Sequence, residues 1–158
     1  MIGATVRSRL ILSTLAAFAL QVVPLPWWLA VVRPPLAVIT VIFWSLIAPR
    51  IGGIGLGFLV GLALDVYRGV IFGQHALALS FVAYVAIRQH LIVRNKTMFE
   101  QALFAGGLLF AFEAITWVVD GWTGHATGGW TRWLPVVTGA LIWPLTAAWQ
   151  ASENRARR

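Results

Sequence analysis

Apolar positions in this chain gather into long runs. Residues 10–32, 34–49, 51–64, 69–87 and 133–152 hold no charged side chain, and residues 101–119 are interrupted only by Glu113. A helix that spans a bilayer needs ~20 mostly apolar residues, with a range of ~17–25. The two shorter runs reach that length once flanking Arg33, Arg50 and Arg68 snorkel towards the headgroups. The pattern predicts six transmembrane helices, at about 9–30, 34–49, 51–68, 73–94, 99–120 and 133–150. The expected fold class is an all-α integral membrane protein, with residues 1–158 forming a single transmembrane domain.

Composition agrees. Hydrophobic residues make up 59% of the chain and charged residues 11%, with a mean hydropathy of +0.82. Soluble domains carry ~25% charge, and a soluble fold built from this chain would expose large apolar patches. The absence of cysteine rules out disulfides, thiolate metal sites and a cysteine nucleophile.

Twelve Lys/Arg against five Asp/Glu give a net charge of +7. The basic residues sit at the edges of apolar runs and do not line a face with interleaved aromatics, so nucleic acid is not an expected partner. Membrane lipids are. An even number of spans puts both termini on one side. With the termini cytoplasmic, Arg7, Arg9, Arg50, Arg88, Arg94, Lys96, Arg155, Arg157 and Arg158 lie inside, and only Arg33, Arg68 and Arg132 lie outside. That asymmetry obeys the positive-inside rule. Ala17-Phe18-Ala19 looks like a signal-peptide cleavage site, but it lies within a run that continues to Val32, so the first span is expected to be retained.

Proline and glycine mark the connections. Pro24 and Pro26 should bend the end of the first span beside Trp27 and Trp28, and Pro34 and Pro35 suit the first turn of the second. Pro49 with Gly52 and Gly53 makes a tight turn, and Asn95 with Lys96 another. Residues 121–132 read as an outer interfacial loop holding Trp122 and Trp130. No internal repeat supports a duplicated transporter architecture.

The third span carries the sharpest pattern. Gly53, Gly57 and Gly61 recur every fourth residue, and Asp65 and Gly69 continue the series. Each step of four drifts ~40° around the helix, which makes a narrow groove where another backbone can approach closely. The groove packs either another helix of this chain or the helix of a partner. Asp65 and Arg68 are spaced to pair on one face. In the fifth span, Leu103, Gly106, Phe110, Glu113, Trp117 and Asp120 read as one seam with Glu113 within it. Seven residues, or ~10 Å, separate Glu113 from Asp120, so Glu113 lies in the outer half of the bilayer, within reach of Arg68 or His75. Gln21, Asp65, Arg68, Gln74, His75 and Glu113 form a candidate outer polar cluster, either a functional site or a network that fixes helix packing.

Signals of catalysis are poor. His75, His90 and His125 are scattered over two sides of the membrane, which suits no zinc site. Ser45 and Ser80 have no adjacent histidine base, and no phosphate-binding loop ends in Lys-Ser/Thr. Tyr84, Arg88 and His90 fit lipid headgroups. No catalytic residue, cofactor or metal is expected.

In order along the chain, Arg33-Pro34, Phe43-Trp44 and Pro49 lead into a stronger block: Gly57-Phe58, Gly61, Leu64-Asp65, Gly69 and Gly73-Gln74-His75-Ala76-Leu77. Gln101-Ala102, Gly139-Ala140 and Trp143-Pro144 follow. Together these landmarks resemble the MreD family of rod shape-determining proteins over most of the chain. Glu113 and the loop at 121–132 lie outside the resemblance. It implies a non-enzymatic subunit of the bacterial elongation machinery in the inner membrane. The implied partners are the single-span protein MreC and, less directly, the actin-like filament MreB and the glycosyltransferase RodA with its transpeptidase. The implied role is to help position and activate lateral peptidoglycan synthesis. The implied fold is like the six-helix substrate-binding component of ECF transporters, and the MreC helix becomes the natural occupant of the glycine groove.

Two functions are thus in view. In the first the chain is a scaffold, with Gly53, Gly57, Gly61, Asp65, Arg68, Gly73, Gln74, His75 and Glu113 as its partner-binding residues. The alternative is a small-molecule, vitamin-type binding subunit of a transporter that uses the outer polar cluster as its pocket.

Overall fold

Pro24 and Pro26 decide where the first helix stops. In the computed structural model, which describes residues 2–125 and 128–156, α1 spans Ile2–Val22 and not 9–30. Proline has no N–H to donate and disfavours helix in the residue before it, so the chain turns and restarts as the five-residue α2, Trp27–Val31. Arg33 ties this corner by donating to the carbonyls of Val23, at 2.8 Å, and Leu20. The Leu20 carbonyl is among the last of α1, which have no partner within the helix, and Val23 follows the helix directly.

After Pro34-Pro35 come α3 (Leu36–Ile47), α4 (Ile54–Arg68), α5 (Gln74–Arg94), α6 (Met98–Thr123), a 3-10 turn (Trp130–Trp133) and α7 (Leu134–Ala156). The described residues contain helix and no strand. Three stretches are long and apolar enough to cross a membrane: Trp27–Ile47, Gln74–Arg94 and Met98–Thr123. α6 starts on a reciprocal cap, in which Thr97 accepts from the Glu100 N–H and the Glu100 carboxylate accepts from the Thr97 N–H. Gly69 ends α4 in the left-handed region (φ 63°), where a side chain would be strained.

α3 and α5 form the centre. Nine of the twelve residues of α3 are buried, and Ala76, Ala78, Leu79, Val82, Ala83 and Ala86 of α5 have no exposed surface. The other helices surround this pair and turn apolar side chains outward: Ile11, Leu12 and Leu15 on α1, Leu59 and Val66 on α4, and Leu141 and Leu145 on α7. Such a girdle suits lipid and not water.

The glycine groove resolves to one of its two readings, and the α6 seam needs correction. The glycine groove of α4 is filled by the chain's own α5. A Cβ placed on Gly57 would lie 2.8 Å from the Leu79 carbonyl oxygen and 3.2 Å from the Ala83 Cβ, and one on Gly61 would land on Ala76 and the His75 carbonyl. Small residues let the two backbones touch, so no room is left for a partner's helix there. Gly53, at the entry to α4, sits more loosely: a Cβ there would lie 3.0 Å from the Pro49 carbonyl oxygen and 3.6 Å from the Ile87 side chain of α5.

The α6 seam divides into two lines. Leu103, Phe110 and Trp117 point outward, whereas Glu113 and Asp120 are buried with Ala105, Leu109, Phe112 and Thr116. Residues seven apart share a line, but a three-residue offset turns ~60° around the helix. The pattern was too wide to be one face.

Candidate functional site

The polar residues converge where α4 ends, α5 begins and the C-terminal half of α6 meets Arg132. Asp65 is 1% exposed and sits under the first turn of α5. One carboxylate oxygen accepts from the Gly73 N–H at 2.8 Å and the Ala76 N–H at 3.4 Å. The other accepts from the His75 N–H and faces His75 Nδ1, both at 2.8 Å. A helix N-terminus leaves N–H groups unpaired and carries partial positive charge; here the cap comes from the preceding helix.

Arg68 does not pair with Asp65 as its spacing predicts. The Asp65 oxygens are committed to α5, and Arg68 Nη1 lies 3.1 Å from His75 Nε2. Arginine only donates, so Nε2 accepts and Nδ1 carries the proton given to Asp65. The His75 ring is held between a carboxylate and a guanidinium, against Phe112 at 5.7 Å between ring centres.

A second network joins α5, α6 and the turn before α7. Arg132 donates to Glu113 Oε2 at 3.2 Å, Asp120 Oδ2 at 2.6 Å and Thr116 Oγ1 at 2.9 Å. Gln74 Nε2 donates to the other Asp120 oxygen at 2.6 Å and to the Thr116 carbonyl at 3.2 Å. Glu113 therefore makes its direct ion pair with Arg132, while the charge of Arg68, expected within its reach, also acts on it. Arg132 was legible only as an outer charge and Asp120 only as the end of a seam. Their common level at the outer end was the one signal available.

Between the two networks lies an open cavity of about 370 Å³ lined by Arg68, Gln74, His75, Glu113, Asp120 and Arg132, with Ala30, Val31 and Pro135 in its apolar wall. Gln21 is not brought to it: that side chain is buried on α1, and its Oε1 has no hydrogen-bond partner. Gly73 is the N-cap of α5 (φ 104°), and Gly53, Gly57 and Gly61 lie along α4, away from the cavity walls. Chemically, the arrangement offers charge and hydrogen bonds. Both nitrogens of the His75 ring are engaged, so it cannot serve as a base without breaking a contact. Among the described residues, no three His, Asp or Glu side chains stand together as metal ligands.

The model of the rod shape-determining protein MreD family matches residues 4–150. The chain is also 30% identical over 128 residues to the rod shape-determining protein MreD of Haemophilus influenzae, which covers 81% of this chain and 79% of that protein. No solved structure matches the chain. The block that carries the family resemblance, residues 57–77, is the stretch that docks α4 on α5 and caps α5 with Asp65. With a family match across almost its full length, the chain belongs to the MreD family of rod shape-determining proteins.

Proposed function

We propose that this protein is a non-enzymatic scaffold of the cell-elongation machinery. It crosses the inner membrane six times as a single transmembrane domain, with both termini in the cytoplasm. Its direct partner is an MreC-like single-span protein. Through that partner it meets an MreB-like filament and the RodA–transpeptidase synthase, and it helps position and activate lateral peptidoglycan synthesis. No chemical step is needed for this, because a scaffold favours one state of its partners by the difference in its affinity for the two states.

The family match over residues 4–150 carries this reading. The site chemistry is compatible with it, because the buried charged groups at the outer end hold helices to one another. Asp65, Gln74, His75 and Glu113 act from beneath by keeping that end in shape. Arg68 is exposed and Gly73 half-buried, and in this reading they are the members of the predicted set that would touch a partner. The transporter alternative draws no support from the family.

Affinity purification of the tagged full chain in mild detergent, with mass spectrometry of everything retained, tests the proposal. An MreC-like protein recovered at fixed stoichiometry is the expected result. Recovery of an ATPase module or a vitamin-sized ligand in its place would overturn it.

A further inference from the structure

We propose that the outer cavity binds a zwitterionic phosphate headgroup, a primary ammonium and a phosphate joined by a short linker, as in an aminophospholipid. The cavity presents two poles. Among the described residues Arg68 makes no ion pair at contact distance: its one hydrogen bond is to His75, and its charge reaches Glu113 across the cavity. Its planar fork therefore keeps donors for a phosphate. Glu113 and Asp120 share the guanidinium of Arg132 at contact distance, and with Asp65 behind His75 three carboxylates gather around two guanidinium groups, Arg68 and Arg132, which leaves a surplus of one negative charge. Glu113 and Asp120 are at least nine-tenths buried, and an unbalanced charge at such depth is costly unless a counter-charge arrives. An anion alone would satisfy Arg68 and repel the carboxylates. A cation alone would do the reverse.

Depth and size point to a lipid. Exposed Trp27, Trp28, Trp122 and Trp130 belong to the segments around the cavity, and tryptophans of this kind mark the membrane–water interface. A volume of about 370 Å³ takes a headgroup and not its acyl chains, which would leave past the apolar wall at Ala30 and Val31. The inference rests on this end of the bundle lying at the outer headgroup level and is independent of which protein the scaffold holds.

The test is calorimetric titration of the purified full chain in a neutral maltoside detergent. Dihexanoyl phosphatidylethanolamine is expected to bind saturably, one per chain, and dihexanoyl phosphatidylglycerol, which lacks the ammonium, about ten-fold more weakly. Arg68→Gln should weaken the first lipid about ten-fold. Val31→Trp, which fills the cavity from its apolar wall without touching a charge, should abolish binding and serves if Arg68→Gln does not fold. Free phosphoethanolamine separates the sources. Binding as tight as the lipid's means that the headgroup chemistry alone is recognised; weaker binding means that the membrane lipid is the ligand. Absence of saturable binding, equal affinity for the two lipids, or indifference to Val31→Trp would overturn the proposal. Loss of partner protein in the purification above would leave it standing.

Discussion

Asp65 and His75 are joined twice: one carboxylate oxygen meets both the backbone N–H and the ring Nδ1 of His75 at 2.8 Å. This carboxylate is the cap of α5 and the partner of its first buried ring. Charge-assisted hydrogen bonds in buried sites are worth ~1.5–3 kcal/mol each. Asp65→Ala removes all of them, so we expect a loss of about 3 kcal/mol or more. Asp65→Asn keeps one acceptor oxygen and should lose less. Thermal unfolding in detergent, followed by circular dichroism, should rank wild type above Asp65→Asn above Asp65→Ala.

The glycines of α4 form a graded series. A Cβ on Gly61 falls on Ala76, one on Gly57 lies 2.8 Å from the Leu79 carbonyl, and one on Gly55 meets nothing within 4 Å. Overpacking a tight contact costs ~1–3 kcal/mol, whereas Gly→Ala on an open helix face gains up to ~1 kcal/mol of helix propensity. Gly61→Ala should therefore be the most destabilised, Gly57→Ala intermediate, and Gly55→Ala equal to wild type or better. The amount of folded chain recovered from membranes should follow that order. A partner-docking groove predicts otherwise: Gly57→Ala and Gly61→Ala would keep full stability and lose a partner.

Arg132 holds two carboxylates, and the asymmetry of that arrangement is testable. Arg132→Gln leaves Glu113 and Asp120 buried against each other without a cation. Breaking a buried pair in this way costs ~3–5 kcal/mol, less here in proportion to the partial exposure of Arg132. Glu113→Gln leaves Arg132 with Asp120 and should cost no more than about 1–2 kcal/mol. Adding Glu113→Gln to Arg132→Gln should recover part of the loss. Four unfolding curves measured side by side, wild type included, check the sign of this coupling.

What was legible in the residues is what depends on local sequence. Apolar runs marked the helices, and prolines and glycines marked most connections. The exception was the first helix: the run to Val32 hid the break that Pro24 and Pro26 impose after Val22. The polar cluster was legible as a level in the membrane and not as a set of pairs. Asp65 and Arg68, three apart, predict each other; the donors that take Asp65 lie eight to eleven residues on, beyond a turn whose path depends on two left-handed glycines, Gly69 and Gly73. Arg132 reaches Glu113 across nineteen residues and a loop. No helical periodicity encodes such a contact. The glycine stripe likewise signalled close approach without naming the helix that approaches.

The proposed orientation of the bundle rests on charge and can be tested directly, because this sequence has no cysteine. A single introduced thiol then reports its own side of the membrane without background. Lys96 lies in the turn between α5 and α6, and Gly129 lies just before the 3-10 turn that carries Arg132. Neither lies within a helix, and Gly129 has φ −87°, a conformation any residue adopts, so cysteine at either place should leave the fold intact. If the termini are cytoplasmic, as the positive-inside rule predicts, Gly129→Cys should react with a membrane-impermeant maleimide in cells whose outer barrier is opened. Lys96→Cys should react only after the inner membrane is permeabilised. The opposite pattern would place the Arg68–Arg132 cavity on the cytoplasmic face, away from any periplasmic partner.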